Sequence, residues 1–91
     1  MTYRLDEESK NRIEDVTGLR NHVSAIRAQV RASEDGQDEI EVVITLLPSF
    51  PIEDPSAETG KLLNGIATAV RQRANDLPVS TVISFSKEGE D

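Results

Sequence analysis

The residues of this 91-residue chain that could do chemistry are few and scattered. His22 is the sole histidine, with no carboxylate near it in sequence at ligand spacing. One imidazole cannot complete a structural metal site, so His22 reads as a surface or strand-start residue. Asp35, Gln37, Asp38, Glu39 and Glu41 have the composition of a cation-binding loop. They lack the regular ligand spacing and closing bidentate glutamate of a calcium hand, and read instead as a solvated hairpin tip. Glu53 and Asp54 form a carboxylate pair, of which Asp54 is better used as a helix cap. Ser80, Ser84 and Ser86 have no base nearby in sequence to activate them as nucleophiles. Gly60 and Gly65 follow no strand and sit inside a helical pattern, so they make no phosphate loop. The absence of cysteine excludes disulfides, thiolate metal sites, iron–sulfur ligation and cysteine nucleophiles. The residues therefore assign no catalytic group, no metal ligand and no cofactor, and the chain reads as non-enzymatic.

The elements are clearer than the chemistry. Glu39 to Pro48 is the one run dominated by β-branched and large aliphatic residues. Ile40, Val42, Ile44 and Leu46 fall on one face of a strand, and Glu39, Glu41, Val43, Thr45 and Leu47 on the other. That pattern predicts a central strand with one covered face. Residues 6–17 predict a helix, with Asp6, Glu7 and Glu8 at its positive end and Thr17-Gly18 as its stop. Leu5, Ser9, Ile13 and Val16 share one side of it.

Residues 19–32 admit two readings. Ile13, Val16, Leu19, Val23, Ile26 and Val30 are spaced three and four apart, as in one long helix. Ser24, Ile26, Ala28, Val30 and Ala32 also alternate with Ala25, Arg27, Gln29 and Arg31, as in a strand. Pairing favours the strand. With residues 33–37 as a hairpin loop built on Asp35-Gly36, Arg31 meets Glu39, Gln29 meets Glu41 and Arg27 meets Val43. On the other face Val30 meets Ile40, Ala28 meets Val42 and Ile26 meets Ile44.

Three prolines make residues 48–55 an irregular connection. Asp54 or Ser56 then caps a second helix over residues 57–77, with Leu62, Leu63, Ile66, Ala69, Val70, Ala74 and Leu77 as its apolar side. Gly65 weakens that helix and is read as permitting close approach to the sheet. Val79, Thr81, Ile83 and Phe85 alternate with Ser80, Val82, Ser84 and Ser86, which predicts a third strand. The expected fold is one α+β domain, residues 1–91 with 1–5 and 87–91 frayed. It has two layers and order α-β-β-α-β, with both helices on one face of a three-stranded sheet.

That arrangement leaves the other sheet face open. Val43, Thr45, Leu47 and Val82 stand there among Arg27, Gln29, Ser80 and Ser84, an apolar strip of the kind that marks a protein partner or a second copy. Charge narrows the partners further. With 17 acidic and 10 basic residues the formal net charge is −7, unsuited to nucleic acid or to an anionic membrane surface. No run approaches the ~20 apolar residues of a membrane span, and the N-terminus has no signal-peptide pattern, so the expectation is a cytoplasmic protein.

The helix leading to Val16-Thr-Gly-Leu19 is followed by the Val23–Val30 segment, an acidic turn and Val42-Val-Ile-Thr-Leu-Leu-Pro48. With the amphipathic helix and the Val79–Phe85 strand, this resembles the alkaline-shock-protein family of bacterial cell-envelope stress proteins over about residues 12–86. The resemblance implies a small, cytoplasmic, non-enzymatic, self-associating protein, often tied to a membrane-anchored partner, with no catalytic residues to carry over. Ile44-Thr-Leu-Leu-Pro-Ser-Phe-Pro51 is also similar to a strand and loop of iron–sulfur assembly domains. A cysteine normally precedes the second proline there, and this chain has Phe50. The cytoplasmic domain of cation-diffusion transporters looks alike too, but relies on histidines and carboxylates that this chain mostly lacks. The reading is a self-associating scaffold or interaction protein. Its alternative is an accessory subunit of an enzyme or iron–sulfur assembly system, binding its partner through the same sheet face.

Overall fold

A computed structural model describes residues 3–50 and 56–87. It contains α1 (Glu7–Glu14), β1 (Val23–Ala32), β2 (Asp38–Leu46), α2 (Ala57–Arg73) and β3 (Ser80–Lys87). The strands form one mixed sheet in the order β1-β2-β3, with β2 antiparallel to β1 and parallel to β3. The fold is α+β, with two helices against one face of a three-stranded sheet.

The β1–β2 register is the one that side-chain pairing predicts, from Ile26 opposite Ile44 to Arg31 opposite Glu39. The loop between them closes through Gly36, whose φ of 86° lies where a side chain would be strained. The rival long helix fails because a β-bulge between Val23 and Ala25 imitates its spacing. The extra residue lets Val23 and Ile26, three apart, both enter the core at 1% and 5% exposure.

The core is built on β2. Ile40, Val42, Ile44 and Leu46 are fully buried, together with Ile13 of α1 and Ile66, Val70 and Ala74 on α2 and just beyond it. Phe50, read above only as part of an irregular connection, is also buried and meets His22 edge-on, with ring centroids 5.5 Å apart. Among the described residues no helix is long and apolar enough to cross a membrane.

Four local expectations are corrected. α1 stops at Glu14 rather than at Thr17, because the Asp15 carboxylate accepts the Thr17 N–H at 2.9 Å and turns the chain. The Arg73 guanidinium closes that end by donating to the carbonyls of Ile13 and Asp15. α2 ends at Arg73, short of Leu77, and Ser56 caps its start by accepting the Thr59 N–H. Asp54, the other cap candidate, lies outside the described residues. Leu62, placed on the apolar side from its spacing, is 41% exposed. Gly65 makes no close approach to the sheet, since a Cβ built on it has no neighbour within 4 Å.

Two substitutions check this arrangement by thermal or chemical unfolding. Ile44→Ala should cost about 2–4 kcal/mol as a core truncation, and near-wild-type stability would contradict its burial. Gly65→Ala should stabilise the protein by up to about 1 kcal/mol, since helix propensity improves with nothing displaced. A loss there would reveal a steric neighbour at that position.

Candidate protein-interaction site

With both helices on one face, alternation turns the other set of strand residues outward. Arg27, Gln29 and Arg31 of β1, Glu39, Glu41, Val43 and Thr45 of β2, and Ser80, Val82, Ser84 and Ser86 of β3 share this open face. Its apolar centre is small. Val43 lies opposite Ser84 and Val82 opposite Glu41, so the two valines are diagonal neighbours across the β2–β3 ladder. Both are half-buried, and neither packs against the core.

The other two predicted positions flank this pair. Thr45 Oγ1 lies 3.3 Å from Ser86 Oγ, tying the two strands at the far end. Leu47 stands one residue beyond β2, where its N–H donates to the His22 carbonyl at 2.8 Å. It is half-buried and also unattached to the core. Val43, Thr45 and Val82 thus come together on one surface, with Leu47 at its end.

A polar lattice frames the valines at the hairpin end. The Arg31 guanidinium bridges Glu39 at 2.7 Å and Glu41 at 2.5 Å, and Gln29 Nε2 donates to Glu41 Oε1 at 2.9 Å. The hydrogen bond to Glu39, with the charges of both glutamates, pushes the Arg31 guanidinium pKa up. Pairs this exposed contribute little stability, and their effect is to hold three long side chains in one orientation.

The acidic hairpin tip spends its oxygens internally. Asp35 accepts from the Ser33 hydroxyl and the Gln37 N–H, while Asp38 accepts from the Tyr3 N–H. Among the described residues no group of histidines and carboxylates is placed to hold a metal ion. His22 packs on Phe50, and Ser84 and Ser86 stand on the open face. Glu53 lies outside the described residues.

The diagonal placement of Val43 and Val82 was out of reach of sequence patterning, because it depends on β3 running parallel to β2 in a particular register. The Arg31–Glu39 and Gln29–Glu41 contacts were within reach, because hairpin register alone brings them together.

Acid should loosen the loops before the core. Hydrogen bonds from Ser9 to Asp6, from Thr17 to Asp15 and from Ser33 to Asp35 hold these carboxyls below their ordinary 3.8. The native state therefore binds fewer protons than the unfolded chain as pH approaches that value. Their contribution is complete above the ordinary value and is lost as pH falls through the lowered ones. Melting temperature should decline on that descent, and Asp35→Asn should flatten part of the decline. An unchanged acid limb in that variant would show that the Ser33 contact does not matter.

No protein-family model, no curated protein and no solved structure matches this chain, so its function is argued from the open face itself.

Proposed function

We propose that this chain is a non-enzymatic interaction protein that associates with copies of itself through the open face of its sheet. The observation that carries the reading is the diagonal Val43–Val82 pair, half-buried and detached from the core, inside a rim of oriented polar groups. Such a surface has an apolar centre and a polar margin, the layout by which protein interfaces exclude water while keeping their register. Along the sequence the acidic residues concentrate in residues 34–41 and at the chain ends, and on this face Glu39 and Glu41 are both paired with Arg31. A cytoplasmic setting and a role in envelope stress accord with the resemblance to alkaline-shock proteins, and both belong to this proposal. The accessory-subunit alternative uses the same face with a different protein as its occupant.

Sedimentation or light scattering across a concentration series tests the reading. Wild-type mass should rise with concentration. Val43→Glu and Val82→Glu should each lower it with little change in melting temperature, because neither side chain belongs to the core. Unchanged mass in both variants would sink the face as a self-contact. A strict monomer would point to the accessory-subunit reading, to be pursued by capture of the partner on the immobilised protein.

A further inference from the structure

The two edges of the sheet are treated differently. On the outer edge of β1, the Ala28 N–H points away from β2 and is accepted by Glu14 Oε2 at 2.8 Å, with α1 alongside. A carboxylate seated on an edge N–H takes the donor that an added strand would need. On the other side, β3 pairs with β2 alone among the described residues. Among the described residues no other segment reaches its outer backbone.

Sequence leaves this second edge unguarded as well. From Ser80 to Ser86 there is no charge, no proline and no bulge, the devices that keep exposed strands apart. The side chains at this edge are also incompletely covered. Ile83 and Phe85 pack on the core yet stay half-exposed, while their ladder partners Val42 and Ile44 are fully buried.

We propose that β3 is a second self-contact, separate from the open face, at which it pairs antiparallel with β3 of another copy about a two-fold axis at Ser84. That register sets Ile83 opposite Phe85 of the copy, twice by symmetry, on the helix-covered side. Aromatic against β-branched residues are favourable cross-strand pairs. Val82 meets Ser86, Ser84 meets itself, and Lys87 meets Thr81, so no like charges oppose one another. In a chain of net charge −7, the two copies approach through the strand that carries no acid. An isologous contact of this kind closes on itself and joins two sheets into one. Combined with the open face, it gives each copy two different self-contacts, which is what a scaffold needs to extend beyond a dimer.

The test blocks the open face with Val43→Glu and reads the edge with a cysteine, the chain having none of its own. Val43→Glu should remain dimeric in sedimentation. Within it, Ser84→Cys should form a disulfide-linked dimer under oxidised glutathione, since paired positions across antiparallel strands lie within the ~7 Å Cα reach of a disulfide. Gln29→Cys, on the opposite strand of the sheet, should crosslink only at the rate of random collision. A monomeric Val43→Glu, or Ser84→Cys crosslinking no faster than Gln29→Cys, overturns the edge contact. A Val43→Glu mass equal to wild type with rapid Ser84→Cys crosslinking supports the edge while removing the open-face contact. A monomeric wild type removes both. Should Val43→Glu lose its fold, Val82→Glu takes its place as the open-face block and the same Ser84→Cys and Gln29→Cys comparison is made within it, Ser84 being exposed.

Discussion

The burial of one side of β2 is the constraint on which the remaining structure depends. Ile40, Val42, Ile44 and Leu46 have no exposed surface, and they bring Ile13 from one helix and Ile66 and Val70 from the other against a single layer. Since side chains alternate strictly along a strand, that burial also decides what faces outward. Glu39, Glu41, Val43 and Thr45 cannot join the core without a register slip that would expose all four aliphatic residues. The candidate interface is therefore the unavoidable reverse of the core.

The helices do more than cover the sheet. Arg73, at the end of α2, donates to the last carbonyls of α1, while Arg12 of α1 donates to the Arg73 carbonyl at 3.0 Å and pairs with Asp76 at 3.0 Å. These reciprocal contacts tie the two helix ends together far apart in sequence. Glu14, at the end of α1, reaches the edge of β1. A short helix thus closes one sheet edge and is held in place by the helix end packed beside it. Among the described residues nothing equivalent stands at β3, because the parallel crossover brings α2 over the face of the sheet rather than along its outer edge.

The acidity of the chain acquires a different meaning in three dimensions. Along the sequence, residues 34–41 form an acidic group suggestive of a cation loop. Folded, Asp35 and Asp38 accept local and long-range N–H and O–H groups, while Glu39 and Glu41 are neutralised by one arginine. The carboxylates beside the valines are therefore paired charges rather than free ones.

The sequence by itself determined the elements, the antiparallel hairpin with its register, and which face of β2 is buried. Period-two alternation, opposed charges at Arg31 and Glu39, and Asp35-Gly36 turn chemistry are all local and mutually consistent signals. It also marked Val43 and Val82 as outward-facing, since both sit off the apolar alternation. Tertiary structure alone decided the direction of β3, which turns on how a helical crossover returns the chain, and with it the diagonal placement of those two valines. It also decided that Phe50 is core, through a ring contact with His22 that no periodicity announces. The early end of α1, turned locally by Asp15 and Thr17, is closed by an arginine from α2, and Leu62 was left exposed because packing on this sheet uses a narrower stripe than its spacing suggests. Short-range physics is written in neighbouring residues, whereas these outcomes depend on groups that meet only after the chain has folded.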